Sequence, residues 1–261
     1  MAVNVNTVYQ TVLLILNKEQ RGYITPQEFN DVATQVQLEI FNKYFEDLNQ
    51  QLRVPQTDMD YADRILNVDE KLSILKTFGR ATYNNTFIPS KPFWELPTVD
   101  DYGRQVEVYT LGAVTLKLIN QDSVEIQRLQ RNEFYNIQNS KLTKSTEKFP
   151  TYLLENNNLF ISPNTITNTK GFIDVDFIRK PLDPIWGFTV GSLGQYNYDF
   201  TNYDPTAIPS PTGSRNFELD SSEQTNIILK ILEYSGIIIN DPTVIQAASQ
   251  KVQIEEINEK S

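Results

Sequence analysis

Residues 150–186 constrain the fold of this chain more than any other stretch. They read Pro-Thr-Tyr-Leu-Leu-Glu-Asn-Asn-Asn-Leu-Phe-Ile-Ser-Pro, then a polar segment, then Gly-Phe-Ile-Asp-Val-Asp-Phe-Ile-Arg-Lys-Pro-Leu-Asp-Pro-Ile-Trp. Two β-rich runs flank Asn164 to Lys170, and this predicts a hairpin turned on that polar segment. In Gly171 to Lys180, Ile173, Val175 and Phe177 fall on one side, while Phe172, Asp174 and Asp176 fall on the other. That alternation predicts an antiparallel strand with one solvated face. Pro181 and Pro184 stop it, because proline has no amide to donate to a ladder.

Helical periodicity lies on both sides of this region. Residues 1–79 read as helical. Val8, Val12, Ile15 and Leu16 recur at helical spacing after Asn6-Thr7, with Gly22 as the stop. Thr25-Pro26-Gln27-Glu28 is a capping box with proline at the first helical position. Phe29, Val32, Ala33, Val36, Ile40, Phe41, Tyr44 and Leu48 then form one apolar stripe ending before Pro55. A third helix is predicted over 61–78, with Asn67 as an internal cap and Leu72, Ile74 and Leu75 on its apolar side.

From 80 to 188 the period shifts toward two. Glu107 to Leu118 is rich in Val, Tyr, Thr and Leu, with a turn or bulge at Gly112, and Val124 and Ile126 alternate with Glu125 and Gln127. A short helix is predicted over 132–139. Residues 189–217 read as a loop, dense in Gly, Asn, Asp, Pro and Tyr, and a long loop in a compact protein is usually functional or mobile. Residues 218–261 return to helix. Ser221 is the predicted cap, Ile227, Ile228, Ile231 and Leu232 the apolar side and Gly236 the stop, with a last helix starting at Asn240-Asp241-Pro242. The sum is an α+β fold over 1–261 as one unit, its terminal helices packed together around a β-rich antiparallel middle.

Composition narrows the chemistry. The chain of 261 residues has neither cysteine nor histidine. Disulfides, thiolate nucleophiles, Cys or His metal sites and triads that use His are therefore out of reach from this chain alone. No catalytic residue, cofactor or metal is expected. The 33 acidic against 23 basic residues give a net charge of −10. Such a balance disfavours non-specific nucleic-acid binding, which rests on neutralising phosphates. It suits solubility, or a surface past which DNA slides without sticking. No apolar run approaches the length of a membrane helix, and no basic segment followed by an apolar one opens the chain, so neither a membrane span nor a secretory signal is expected.

The carboxylate clusters read as structural. Asp58-Met59-Asp60 with Asp63 lacks the Gly and Glu that a calcium loop needs at its sixth and twelfth positions, which hold Asp63 and Asp69. Asp100-Asp101, just before Gly103, reads as a turn rather than an acid–base pair. Asp174 and Asp176 read as a solvated strand face. The best binding feature is Tyr196, Tyr198, Phe200 and Tyr203, four rings in one polar stretch. Tyrosine offers large contact area at low entropic cost. Three readings stay open for these rings: an interface, packing onto the protein's own core, or stacking on carbohydrate. Arg179 and Lys180 join them as interface candidates.

Asn6-Thr-Val-Tyr-Gln-Thr-Val-Leu-Leu-Ile-Leu-Asn-Lys-Glu-Gln-Arg-Gly-Tyr-Ile-Thr-Pro-Gln-Glu-Phe-Asn30, the stretch from Pro150 to Pro184, and Ser222-Glu-Gln-Thr-Asn-Ile-Ile-Leu-Lys-Ile-Leu-Glu-Tyr-Ser-Gly-Ile-Ile-Ile-Asn-Asp241 carry a resemblance. They resemble segments of virion structural proteins of crAss-like and related short-tailed bacteriophages. The resemblance implies a head-to-tail adaptor, or neck ring protein. Such a subunit forms a closed ring with itself, typically twelvefold, contacts the portal and other neck or tail proteins, and lets DNA pass without binding it specifically. It would be made in the bacterial host's cytoplasm and reside in the virion. Another tail or capsid-associated part is the alternative, followed by a carbohydrate-binding module and a hydrolase built from acidic residues. Residue chemistry without the resemblance reaches only a non-catalytic assembly protein.

Overall fold

A computed structural model describes residues 2–18, 23–51, 68–85, 91–118, 123–207, 211–239, 250–251 and 253. The stops at Gly22 and Pro55, the cap at Asn67, the Asp58–Asp63 cluster, the side chain of Leu48 and the helix from Asn240 all fall outside what is described. The fold is α+β, with antiparallel and mixed sheets. Where the sequence reads as one unit over 1–261, the chain forms two compact units. One comprises 1–74 with 181–261, and the other comprises 75–180.

The first unit is built on helices α1 (Val5–Lys18), α2 (Pro26–Gln51), α3 (68–73) and α5 (Gln224–Ile239). Asn4 caps α1 by accepting from the amides of Asn6 and Thr7. The Thr25 capping box forms as expected. Glu28 donates its amide to Thr25 Oγ1 at 3.3 Å, and its carboxylate accepts the Thr25 amide at 2.9 Å. These bonds hold the Glu28 carboxyl below the usual range. The predicted stripe of α2 from Phe29 to Tyr44 is buried throughout. In α1, Val5, Val8, Tyr9, Val12 and Leu16 are buried and Ile15 is not. The α5 helix packs on both α1 and α2, so the two ends of the chain share one core.

Three predicted boundaries shift. The cap before α5 is Asp220, not Ser221; its carboxylate accepts from the Ser222 amide, and a short 3-10 turn, Ser221–Glu223, leads into the helix. Gly236 does not stop α5, which continues to Ile239. An interior glycine costs a helix only about 1 kcal/mol, which packing readily overrides. The helix expected over 61–78 yields to strand at Lys76, because residues 76–80 find a partner strand far along the chain.

That strand opens the second unit, two sheets packed face to face. The four-stranded sheet has the order β1-β9-β4-β5, with β1 (Lys76–Arg80), β4 (Val108–Leu118), β5 (Ser123–Glu125) and β9 (Gly171–Arg179). The five-stranded sheet has the order β2-β3-β8-β7-β6, with β2 (Thr82–Asn84), β3 (Phe93–Glu95), β6 (Gln127–Arg128), β7 (Thr151–Glu155) and β8 (Asn158–Ser162). The chain changes sheets at two buried corners. Ala81 separates β1 from β2 and donates its amide to Ile173, while Ile126 separates β5 from β6 and donates to Val114. Trp94, Leu116, Tyr152, Leu159, Ile161, Ile173 and Val175 fill the space between the sheets. Leu153 and Phe160 point out the other way, where α4 (Arg131–Asn139) covers them with Phe134. The expected bulge in β4 appears as a register shift between Leu111 and Val114, around Gly112.

The hairpin predicted on Asn164–Lys170 does not form. Instead β7 and β8 pair with each other through a two-residue loop, Asn156-Asn157, both at positive φ (51° and 60°). This is the backbone geometry whose twist matches that of the strands. The second run, β9, lies in the other sheet between β1 and β4. Its alternation is as predicted: Ile173, Val175 and Phe177 are buried, and Asp174 reaches Lys117 at 2.7 Å and Arg80 at 3.4 Å on the outer face.

Candidate functional site

The described residues of the predicted loop 189–217 include regular structure. Strands β10 (Phe188–Val190) and β11 (Tyr196–Tyr198) pair antiparallel, with Phe188 opposite Tyr198 and Val190 opposite Tyr196. Opposed residues share a face, so these four side chains form one apolar face. Leu193 sits at the tip, between the Gly191 carbonyl bonded to the Gly194 amide and the Gly191 amide bonded to Gln195. Beyond the hairpin the chain runs back beside itself, with bridges of Asn202 to Ser214 and Asp204 to Thr212.

Short polar side chains shape this segment. Asp199 Oδ1 accepts from both the amide and the hydroxyl of Thr201, and Oδ2 accepts from the Gly213 amide. Asp204 repeats the arrangement with Thr206. The threonine hydroxyls and amides hold both carboxyls below the usual range. The close approach of two backbones requires glycine on each side: a Cβ on Gly187 would lie 2.1 Å from the Gly213 oxygen, and Gly213 has φ of 86°. Such Asp-x-Thr turns supply locally the hydrogen bonds that longer strands would provide. They explain why a stretch rich in Gly, Pro and Asn is still built.

The base of the hairpin is Trp186. Its amide donates to Asn30 Oδ1 at 2.8 Å, its carbonyl accepts from Asn30 Nδ2 at 3.3 Å, and its indole N–H donates to Asn6 Oδ1 at 3.0 Å. The ring packs against Tyr9 at 4.3 Å and stacks on Tyr198 at 5.6 Å and Phe188 at 6.0 Å. One helical stretch further, Gln37 donates to the Leu182 carbonyl at 2.8 Å and accepts the Glu218 amide at 2.9 Å. Asn30 and Gln37 are seven residues apart on α2, so they lie on one side two turns apart. Together they hold both strands of the segment that carries the hairpin. Burial, and then the hydroxyl of Tyr23, push the Tyr9 phenol well up, so it remains neutral.

The rings singled out from sequence divide. Tyr198 stacks on Trp186 and is half-buried. Tyr196 meets Phe188 edge-on at 5.1 Å yet keeps an exposed side, and Tyr203 lies under the Arg215 guanidinium at 4.4 Å. Phe200 projects into solvent, 84% exposed. Leu193 at 91% and Val190 join it in water, and neither was singled out from sequence. The signal was available: Val-Gly-Ser-Leu-Gly places two aliphatic residues around a glycine turn. Arg179, expected at an interface, is buried within the chain. It is 2% exposed on the inward face of β9, in the register of Ile173, Val175 and Phe177. Lys180 lies in the same unit and pairs with Glu107 at 3.3 Å.

Asp100, in the second unit, is a turn residue as expected. Burial pushes its carboxyl up, but the amide and guanidinium of Arg104 and the hydroxyl of Thr77 outweigh this and hold it low. Its second oxygen-bound amide is that of Tyr102, and Gly103 has φ of 77°. Among the described residues no three acidic side chains gather as a metal site, and no helix is long and apolar enough to cross a membrane. Comparison with models of known protein families finds no match, and comparison with curated proteins finds none.

Proposed function

We propose that this chain is a virion structural protein of the head-to-tail adaptor, or neck ring, type. Its subunits join in a closed ring with copies of themselves and meet the portal and neighbouring neck or tail proteins. The observation that carries the reading is the set of exposed apolar side chains on and beside this hairpin, Val190, Leu193, Tyr196 and Phe200, next to the Trp186 anchor. Burying one such side chain is worth about 1.5–3 kcal/mol. A mobile loop could fold these residues away, whereas this one is pinned by Asp199, Asp204, Asn30 and Gln37. Apolar side chains presented on an ordered scaffold suit a permanent protein contact. A net charge of −10 suits a wall past which DNA slides.

Mass photometry of the full-length chain across concentration tests assembly. The reading expects one closed oligomer of many subunits, which Leu193→Ser with Phe200→Ser shifts toward monomer without loss of fold. A wild-type chain that stays monomeric, alone and with the portal protein of the same virus, overturns it.

A further inference from the structure

The second unit carries an exposed patch of different character. Leu142 is 95% exposed and Phe149 78%, and Tyr135 of α4 is also exposed. Lys141, Lys144 and Lys148 alternate with them in Lys-Leu-Thr-Lys-Ser-Thr-Glu-Lys-Phe, and all three lysines are exposed. The loop that presents them is built. Ser140 Oγ accepts from the amides of Leu142 and Thr143, the hydroxyls of Ser145 and Thr151 bond at 2.7 Å in the interior, and Thr146 and Phe149 exchange amide bonds. Glu147 pairs with Lys170 at 2.7 Å and accepts from the Thr165 hydroxyl, so its charge is matched by a lysine outside the loop. Phe149 also walls an open cleft of about 490 Å³ with Pro150, Tyr152 and Arg128.

The charge of this stretch opposes that of the chain. Between 128 and 149, five basic residues stand against Glu133 and Glu147, a local charge of +3, so the remaining residues carry −13. A chain this acidic is repelled from anionic lipid and from nucleic acid. The rest of this chain, at −13, carries the opposite charge to the patch.

We propose that the Lys141–Phe149 loop docks on the acidic surface of a second copy of this chain. The inference rests on the ring reading above and adds to it the patch and the symmetry of one contact. A two-fold contact centred on the loop would set lysines against lysines. The contact is therefore heterologous, loop against a different surface, which is the kind that closes rings. Leu142 and Phe149 supply the apolar centre and the lysines the steering rim.

The test uses the full-length chain carrying Lys141→Glu, Lys144→Glu and Lys148→Glu, its fold checked by circular dichroism. The dissociation constant of the assembly rises about tenfold or more, and the wild type, unlike the variant, weakens as salt increases. In mixed heavy- and light-isotope protein, Leu142→benzoylphenylalanine cross-links to an acidic segment of another copy. A triple variant that assembles like the wild type overturns the inference while leaving the ring reading intact. A cross-link from position 142 to the same loop of another copy overturns the heterologous contact. A wild-type monomer under all conditions overturns both.

Discussion

The side chain of Asn30 meets the backbone of Trp186 twice, accepting its amide at 2.8 Å and donating to its carbonyl at 3.3 Å. An asparagine on a helix thus takes the part of a neighbouring strand. The two residues are 156 positions apart, and their contact fixes the segment from which the exposed hairpin projects. A buried amide and carbonyl left without partners are costly, so this pair sets whether the hairpin is held or free.

Asn30→Ala removes both bonds. We expect a loss of about 1–3 kcal/mol in urea unfolding, with Asn30→Asp intermediate because it retains the acceptor and loses the donor. In a Trp94→Phe background, Trp186 fluorescence reports the anchor directly and should shift red at urea concentrations where circular dichroism is still native. Coincident transitions would show that the anchor is not a separate weak point.

Glu223 gives stability a defined pH dependence. Burial pushes its carboxyl up, but the Lys71 ammonium at 2.6 Å, with Asn226 and Tyr44, outweighs this and holds it below the usual range. A lowered folded-state value contributes stability above the unfolded value, and that contribution is lost as pH falls through the folded one. Wild type should therefore exceed Glu223→Gln in urea midpoint at pH 7, and the gap should close below about pH 4. Parallel curves down the acid limb would separate Glu223 from the effect.

The β7–β8 loop requires positive φ at Asn156 and Asn157. Asn157→Gly should be neutral or stabilising. Asn156→Val should cost about 1–2 kcal/mol, because a branched side chain resists that region. Thermal unfolding of the two variants measures the difference, and equal midpoints would contradict the turn assignment.

Much of this fold is legible in the sequence where a period is long or a cap is local. The α2 stripe repeats over several turns, the Thr25 box closes within four residues, and β9 alternates over nine. Elsewhere a partner far along the chain decides. Lys76–Arg80 is strand because β9 pairs with it, and its Thr, Phe and Gly are weak helix formers, a local signal that the helical spacing running up to Leu75 obscures. Three consecutive asparagines, 156–158, leave the turn position of β7–β8 ambiguous, and a polar stretch at 164–170 offers a rival. Arg179 follows the inward parity of its strand, a clue that its charge obscures. Asn30 and Gln37 look like surface residues beside an apolar stripe until Leu182, Trp186 and Glu218 return to them. The exposed face of the hairpin was only half legible: its rings stood out, whereas Val190 and Leu193 did not, since their exposure depends on where the turn falls.

Electron microscopy of the full-length chain mixed with the portal protein of the same virus tests the central claim most directly. The account predicts a closed ring of this chain bound coaxially to the portal, lost when Leu193 and Phe200 are both changed to serine. A chain that remains monomeric beside an undecorated portal would contradict it.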